Sequence, residues 1–401
     1  MSDLSFLNLG LAQTTLHPLN LEVESASGSR IRLRNGKEII DFISGIGVSS
    51  FGHSNPVILH ALREQLDRHL HVMVYGEFHQ ESQTLAAKRL LNFLPDELDS
   101  VYFVNSGAEA IDGALKLARR ATMKTKIVAF QGSYHGNTLG ALSVSSNEQR
   151  KRPFEPLLPD IEFIPWNQIS TLDVIDENTA AVILETVQGD AGVRIPDPTW
   201  MKNLRMRCTQ VGALLILDEI QCGMGRTGRP FAFEHYNVIP DILCLGKALG
   251  GGMPVGAFVA KKSMMQLLAQ NPALGHITTF GGHPMPCAGA AGALQVMSEL
   301  NWESLEGCAL KFQQRMISQS LVKEVRRLGA FIAVELKNEE AVDFCVKKAL
   351  EKGLLIFYFL STPQAFRVAP PLTMHPEDWE EATNILLETF DEWERIHSST
   401  A

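Results

Sequence analysis

Short apolar segments, separated by stretches with helical spacing, recur along the first 260 residues of this 401-residue chain and constrain its fold more than any other feature. Continuous apolar runs of this length are typical of strands that are buried on both faces of a sheet. The segments are VYFV (101–104), KIVAF (126–130), IEFIPW (161–166), AAVILE (180–185), ALLILDE (213–219), DILCLG (241–246) and VGAFVA (255–260).

The stretches between these segments have the periodicity of helices. The clearest example places Ala108, Ile111, Leu115 and Ala118 at i, i+3, i+7 and i+10, directly after Ser106. Strands that alternate with helices predict an α/β fold with a mostly parallel central sheet flanked by helices.

Beyond about residue 290 the pattern changes to a long helical segment, three apolar segments and a closing helix. The apolar segments are FIAVEL (331–336), LLIFYFL (354–360) and AFRVAP (365–370). This pattern predicts a smaller α+β domain, because strands and helices no longer alternate. We therefore predict three parts: an N-terminal segment, 1–45, that contributes to the small domain; a large ligand-binding domain, 46–290; and a small C-terminal domain, 291–401.

Composition excludes several classes of protein. The chain has 36 basic and 45 acidic side chains, and this net charge of −9 argues against a nucleic-acid partner. Its apolar stretches are too short to cross a bilayer, and the start MSDLSFLNLG lacks the pattern of a secretion signal, so we expect a cytoplasmic protein. The six cysteines form no CxxC pair, which favours reduced, buried thiols, and the histidines lack metal-ligand spacing.

Polar residues that follow the predicted strands are candidates for a binding site, because ligands of open α/β sheets bind beyond the carboxyl ends of the strands. Ser106 and Gly107 follow the segment VYFV and open a helix. The N–H groups at the N-terminus of a helix form a cradle for a phosphate. The same pattern is also that of an ordinary serine N-cap with no ligand.

Two further strand ends carry ionisable groups. Asp218 follows ALLIL and, if buried, needs a cationic partner such as a protonated pyridine nitrogen. Lys247 follows DILCLG and precedes a run of glycines, where a desolvated amine would be nucleophilic towards an aldehyde. The alternative for Lys247 is an ordinary solvated lysine.

The run GMGRTG (223–228) matches the dinucleotide-binding pattern GxGxxG and follows a predicted strand. However, Pro230 and the aromatic FAFEHY segment behind it do not open an amphipathic helix, which that pattern requires. The chain also contains no GxxxxGK[ST] motif. A nucleotide-binding α/β protein therefore remains only an alternative.

Seven motifs in a fixed order distinguish between these interpretations. Together they resemble the class III aminotransferases of pyridoxal-phosphate (PLP) fold type I, in the group that holds ornithine, acetylornithine and 4-aminobutyrate aminotransferases. The resemblance spans roughly residues 20–390. The motifs are NSGAEA (105–110), GSYHGNT (132–138), ETVQGDAG (185–192), LDEIQCGMGRTG (217–228), LGKALGGGMPVGA (245–257), TTFGGHP (278–284) and FRVAPPL (366–372).

The resemblance implies a role for each candidate residue. Lys247 would hold PLP as a Schiff base and move the substrate proton, while Asp218 would keep the pyridine nitrogen protonated. Thr279 would reach the phosphate in the neighbouring subunit, which implies a homodimer. The remaining implied cofactor contacts are Ser106, Gly107 and Ala108 at the phosphate, Gln221 at the ring hydroxyl, Tyr134 on the ring face, and His135 and Glu185 nearby.

Arg367 lies between Phe366 and Val368 in a strand-like segment, so its side chain points opposite to theirs. In the resembled family this arginine binds the carboxylate of the 2-oxo acid, whereas the residue alone fits a surface ion pair equally well. The family's masking acid corresponds here to Asp190, which is one methylene shorter than the usual Glu and leaves its reach to Arg367 open.

Other departures from the family pattern bear on the substrate. Asn137 replaces an arginine that the ornithine and acetylornithine enzymes share, and Gly45 replaces a tyrosine of the ornithine enzymes; both losses weaken an ornithine assignment. Thr186 and His283 replace the usual Pro and Asn. We predict a ping-pong aminotransferase that takes an amino group from an amine or amino acid, including ω-amino donors, and gives it to a 2-oxo acid such as 2-oxoglutarate. The alternatives within the fold are an aminomutase, a decarboxylase or a racemase.

Overall fold

The computed structural model describes residues 10–398. Residues 1–9, which belong to the predicted N-terminal segment and to the start that was compared with a secretion signal, lie outside the described part, as do 399–401. The strands are β1 Val23–Ser27, β2 Arg30–Leu33, β3 Glu38–Asp41, β4 Ser100–Val104, β5 Lys126–Phe130, β6 Ile161–Ile164, β7 Thr179–Glu185, β8 Leu214–Asp218, β9 Ile242–Leu245, β10 Gly256–Ala260, β11 Val322–Leu328, β12 Phe331–Leu336, β13 Leu354–Leu355, β14 Phe357–Tyr358 and β15 Ala365–Val368.

Helices connect and cover these strands, and several short 3₁₀ turns accompany them. Three of the helices, α1, α6 and α8, are single turns of four residues. The α-helices are α1 Ser44–Gly47, α2 Pro56–Arg68, α3 Glu81–Leu91, α4 Gly107–Thr122, α5 Leu139–Ser143, α6 Glu148–Lys151, α7 Pro198–Val211, α8 Lys262–Met265, α9 Pro284–Ser298, α10 Trp302–Ile317, α11 Glu339–Glu351 and α12 Pro376–Ser398.

The central sheet has seven strands in the order β4-β10-β9-β8-β7-β5-β6. Strand β10 runs antiparallel to both of its neighbours, and the other pairs are parallel. All seven predicted strands are present, and the predicted mostly parallel sheet is confirmed. Full burial on both faces was wrong for β4 and β6, because they form the two edges of the sheet and are only partly covered.

Alternate residues of the central strands feed two hydrophobic clusters, one on each face of the sheet. In β8, Leu215 and Leu217 join one cluster and Ile216 joins the other. Helix α4 covers the second face with Ile111, Leu115 and Ala118, as its spacing predicts, whereas Ala108 at its start is half-buried. This double covering explains why the strand segments are continuously apolar.

Two smaller sheets complete the fold. The sheet β11-β12-β15-β14 comes from the C-terminal part, and in the sheet β1-β2-β3-β13 the early strand β3 pairs with β13 in parallel. The segment LLIFYFL (354–360) was predicted as one unit, yet it splits into β13 and β14 of different sheets. The division of the chain at about residues 45 and 290 stays a prediction.

The remaining expectations concern cysteines, membranes and metals. All six cysteines are free; five are buried and Cys308 is half-buried. No helix within residues 10–398 combines the length and the apolar character needed to span a membrane. Within the same residues, no group of three or more His, Cys, Asp or Glu side chains is arranged to hold a metal ion.

Candidate active site

The predicted site residues converge at the carboxyl edge of the central sheet. Register brings Glu185, at the end of β7, opposite Asp218 at the end of β8. Asp218 in turn lies opposite Cys244 of β9, three residues before Lys247. Parallel strands present their last residues at one edge, so three ionisable side chains that are remote in sequence meet there.

A small pocket opens at this edge. Tyr134, His135, Glu185, Asp218, Gln221 and Lys247, all candidates from the sequence, line it together with Val187, Ile220 and Cys222. Sequence reasoning missed the last three. Only their position in the sequence could have identified them as pocket residues. Ile220 and Cys222 flank Gln221 after β8, and Val187 follows β7 by two residues.

The carboxylate of Asp218 is buried and fixed on both oxygens. His135 Nδ1 lies 2.7 Å from Oδ2, and the backbone N–H of Ile220 donates to Oδ1 at 3.0 Å. Because a carboxylate accepts, the imidazole carries a hydrogen on Nδ1. The opposite ring nitrogen, His135 Nε2, is buried and has no partner among the described residues.

Glu185 is a buried acid that favours its protonated form. It accepts hydrogen bonds from the backbone N–H groups of Tyr134, at 3.0 Å, and Gly189, at 2.8 Å. Burial nevertheless raises its pKa to about 7, with His135 opposing the rise and the negative charge of Asp218 adding to it. Glu185 therefore titrates near neutral pH.

Lys247 is half-buried, and the surrounding protein removes water from its amine. This desolvation lowers the pKa of Lys247 to about 8; the positive charge of Arg367 lowers it further, while Asp218 and Glu185 oppose the fall. Its backbone φ is +44°, in the left-handed region that non-glycine residues rarely adopt. Strain of this kind is concentrated at functional sites. A neutral, nucleophilic amine is thus accessible at mildly alkaline pH.

The N-terminus of α4 forms a cradle beside this amine. Ser106 caps the helix by accepting from the Glu109 N–H at 3.2 Å, which leaves earlier N–H groups of the first turn for another acceptor. A Cβ on Gly246 would lie 3.3 Å from the Gly107 Cα, so the residue before Lys247 packs directly on the cradle. The macrodipole of this helix favours an anion at that position.

Gln221 faces the pocket with its amide Nε2 buried and unpartnered among residues 10–398. Buried polar atoms are nearly always hydrogen-bonded in folded proteins. Two such atoms in one pocket, Gln221 Nε2 and His135 Nε2, therefore indicate a ligand that carries polar groups.

Arg367 and Asp190 form a second polar centre. Arg367 is buried, its guanidinium carbon lies 4.6 Å from the centre of the Phe359 ring, and its Nη2 is 3.5 Å from Asp190 Oδ1. The shorter acid therefore reaches the arginine, which answers the question that the sequence left open. Arg367 Nε has no partner among the described residues, so the guanidinium keeps capacity for an anion.

Six predicted site residues do not line this pocket: Ser106, Gly107 and Ala108 of the cradle, Arg367 and Asp190 of the second polar centre, and Thr279. Ala108 belongs to the cradle, where a Cβ on Gly136 would come within 2.8 Å of its own Cβ. Thr279 is exposed, in a segment without regular structure, and does not line the pocket of its own chain. The GMGRTG run forms a series of turns and opens no α-helix, as its sequence context predicted.

Comparison with known proteins identifies relatives across nearly the whole chain. The sequence profile of the family Aminotransferase class-III matches residues 12–390. An acetylornithine aminotransferase of Methanopyrus kandleri is 39% identical over 358 residues, which cover 88% of this chain and 90% of the relative. An acetylornithine aminotransferase of Methanocaldococcus jannaschii is 38% identical over 370 residues, covering 89% and 90%.

A solved structure gives the same result for the fold. The ornithine aminotransferase from Toxoplasma gondii superposes with a TM-score of 0.90 at 30% sequence identity, covering 98% of this chain and 94% of that one. That crystal structure was described as having partial occupancy of PLP at its active site.

Proposed function

This chain belongs to the class-III aminotransferase family, and on that premise we propose that it binds PLP at Lys247 and uses it to exchange an amino group between an ω-amino donor and a 2-oxo acid. The family relationship makes the protein an aminotransferase with a PLP fold type I architecture. The observation that carries the proposal is that Lys247 and Asp218, from neighbouring strands, line one pocket beside the cradle of α4.

The residues of this pocket fit the cofactor. The cradle of Ser106, Gly107 and Ala108 would hold the phosphate through N–H groups of the first helical turn. Asp218, kept in place by His135, would pair with the pyridine nitrogen. Gln221 Nε2 would donate to the ring hydroxyl, and the Tyr134 and His135 loop would cover the ring.

When bound, PLP supplies an electron-poor ring that withdraws electrons from the substrate carbon bonded to nitrogen. Lys247 would provide the amine that holds the cofactor, and its free amine would hold the proton removed from that carbon. Its lowered pKa suits both tasks, since the neutral amine is the attacking and proton-accepting form. Glu185, whose pKa is about 7, is neutral below that pH and negatively charged above it, so its effect on Lys247 depends on pH.

Arg367 would capture the carboxylate of the 2-oxo acid. Its unpartnered Nε and its stacking on Phe359 leave a planar donor edge for two parallel hydrogen bonds. Asp190 would balance the buried guanidinium while the carboxylate is absent. The two half-reactions would then alternate in one pocket, which predicts ping-pong kinetics.

The donor is proposed to be an amino acid with a terminal amino group. The relatives named acetylornithine and ornithine aminotransferases support this class. Asn137 stands where ornithine and acetylornithine enzymes carry an arginine for the α-carboxylate of the donor. Its amide donates to the Tyr134 hydroxyl at 3.3 Å, so this position offers a neutral group in place of that charge. The panel of donors to be tested therefore includes 4-aminobutyrate and simple ω-amino acids as well as acetylornithine and ornithine.

We also propose a homodimer in which Thr279 contributes to the site of the partner subunit. Thr279 is exposed, and its neighbours Ile277 and Phe280 are large apolar side chains with 42% and 57% exposure. Apolar exposure on both sides of a polar residue fits a surface that a second copy covers. The cytoplasmic location stays a prediction.

A panel of amines offered with 2-oxoglutarate or pyruvate tests this function. Acetylornithine, ornithine, 4-aminobutyrate and simple ω-amino acids are mixed with the cofactor-loaded protein, and glutamate or alanine is measured. Formation of the new amino acid at the expense of one donor supports the proposal. Donor consumption that yields carbon dioxide, an isomer or the mirror-image amino acid, with no glutamate or alanine, would instead identify a decarboxylase, an aminomutase or a racemase.

A further inference from the structure

The glycine-rich turn 223–228 delivers an arginine into the interior of the protein. Arg226 is only 1% exposed and is among the largest fully buried side chains. Gly225 and Gly228 adopt φ values of +89° and +84°, in the left-handed region that glycine accepts without strain. The segment that resembles a dinucleotide motif is therefore a glycine-rich turn that places Arg226 in the interior.

The guanidinium of Arg226 bonds to three separate segments. Nη1 donates to the carbonyls of Pro370, at 2.7 Å, and Ala330, at 3.2 Å. Nη2 donates to the hydroxyl of Ser50 at 2.9 Å. The planar fork of arginine can serve three acceptors in fixed directions, whereas the single ammonium of lysine cannot reproduce that geometry.

One of these bonds leads to the wall of the active site. The Ser50 hydroxyl donates onward to the Gly47 carbonyl at 3.0 Å. A Cβ built on Gly47 would lie 3.8 Å from Cγ of Gln221 and 4.0 Å from Cδ of Lys247. The backbone at Gly47 thus lies close to the side chains of both Gln221 and Lys247.

A second bond leads to the strand that carries Arg367. Pro370 lies three residues after Arg367 and two residues beyond the end of β15. The turn that contains Gly47 and Ser50 is bonded to the same segment, since the Leu372 N–H donates to the Ser50 carbonyl at 2.7 Å. One guanidinium therefore joins the wall behind Lys247 to the strand of the carboxylate-binding arginine.

No carboxylate within residues 10–398 forms a salt bridge with Arg226, although Asp41 acts on it from a longer distance. Both oxygens of Asp41 are engaged elsewhere, with the Ile43 and Ser44 N–H groups and with His53. A buried charge without a direct counter-charge is costly, and an apolar side chain of similar volume would fill the same space at lower cost. Packing alone does not account for an arginine here.

We propose that Arg226 is a positioning residue, which sets the placement of Lys247 through Ser50 and Gly47 and the placement of Arg367 through Pro370. The inference rests on the proposed function, since it takes Lys247 as the amine that carries PLP. It predicts that breaking the Ser50 branch disturbs the lysine, while the fold and the cradle for the phosphate persist.

Four variants of the cofactor-loaded full chain test the inference. Ser50→Ala removes the hydroxyl that links Arg226 to Gly47, and Ser50→Thr restores a hydroxyl. Arg226→Lys keeps the charge and loses the fork. Thr227→Val is the matched control, because the Thr227 hydroxyl is buried beside Arg226 and has no partner among the described residues.

Ser50→Ala is expected to lower kcat/KM by about tenfold and Arg226→Lys by about a hundredfold, since small misplacements of reacting groups have effects of this size. The pH midpoint of the cofactor absorbance should rise in Ser50→Ala, because water that enters behind Lys247 favours the charged form. Ser50→Thr and Thr227→Val should stay within about threefold of the parent in kcat/KM and keep its midpoint.

The inference is overturned if folded Ser50→Ala keeps the parent midpoint and rate, or if Thr227→Val changes both as much as Ser50→Ala does. It is also overturned if Arg226→Lys and Ser50→Ala both fail to fold, because Arg226 would then serve folding alone. A parent protein that carries no cofactor on Lys247 would refute the proposed function itself, which separates the two failures.

Discussion

Asp190 contacts Arg367 at 3.5 Å while both of its carboxylate oxygens are already held by the segment behind β14. Leu360 N–H donates to Oδ1 at 2.8 Å, and the Ser361 hydroxyl donates to Oδ2 at 2.7 Å. The acid is thus anchored independently of the arginine. Its charge acts on the guanidinium without occupying the whole donor edge, and a substrate carboxylate competes with only one long contact.

Asp190→Asn should strengthen binding of the 2-oxo acid. Removal of the negative charge leaves the Arg367 guanidinium uncompensated, so the KM for 2-oxoglutarate should fall by about three- to tenfold, equivalent to ~0.7–1.4 kcal/mol. Steady-state kinetics with the acceptor varied measure this. Ser361→Ala, which removes one anchor and keeps the charge, is the control, and an equal fall in that variant would contradict a charge effect.

Arg367→Ala should impair the acceptor half-reaction. Loss of the guanidinium should raise the KM for the 2-oxo acid by about a hundredfold, because a charge-assisted bidentate pair is removed. The donor half-reaction, followed by single-turnover absorbance, should remain within about fivefold of the parent. The pKa of Lys247 should rise, since Arg367 is one of the two causes that depress it. An equal loss in both half-reactions would show that Arg367 serves the common chemistry instead.

Asp218→Asn should slow proton abstraction. An amide cannot stabilise a positive pyridine nitrogen, so the ring withdraws electrons less strongly, and we expect a loss of about a thousandfold or more, ~4 kcal/mol. Stopped-flow absorbance with a donor deuterated at the reacting carbon measures the step. Glu219→Gln is the matched control: this buried neighbour bonds to Ala232 N, Phe233 N and Thr186 and does not line the pocket. It should affect stability and leave proton abstraction near the parent rate.

Glu185 should make stability depend on pH in the cofactor-free protein. Its folded pKa, about 7, exceeds the ordinary value of 4.5, so the stability it contributes is present below pH 4.5 and is lost as pH rises through 7. Glu185→Gln should remove up to about 3 kcal/mol of this pH dependence between pH 4.5 and 7. Denaturant unfolding across that range measures it, and parallel curves for parent and variant would contradict the shift.

The central sheet and the residues at its edge were predictable because their signals are local. A continuous apolar run followed by a polar residue fixes both the strand and its carboxyl end, as for Asp218 after β8 and Lys247 after β9. The order of the strands then brings these ends together, and the helix after Ser106 was visible from its cap and its spacing.

Contacts between distant segments were not predictable from one sequence. Asp190 and Arg367 are 177 residues apart, and their approach depends on how β15 packs against the loop after β7. The split of LLIFYFL follows from pairing of β13 with β3, more than 300 residues earlier, and no local residue marks the break. The role of Gly47 and Ser50 in the site could not be predicted for the same reason. Both residues precede the first strand of the central sheet, and Ser50 meets Arg226 only in the folded chain.

The central claim is that the amine of Lys247 is bonded to PLP. The most direct measurement is borohydride reduction of the purified cofactor-loaded protein, followed by peptide mass mapping. We expect the colour to be lost, a phosphopyridoxyl increment on the peptide that contains Lys247, and no increment in Lys247→Ala, whose turnover should be nearly abolished. An increment on another lysine, or Lys247→Ala activity within about tenfold of the parent, which corresponds to only ~1.4 kcal/mol of barrier, would contradict the account.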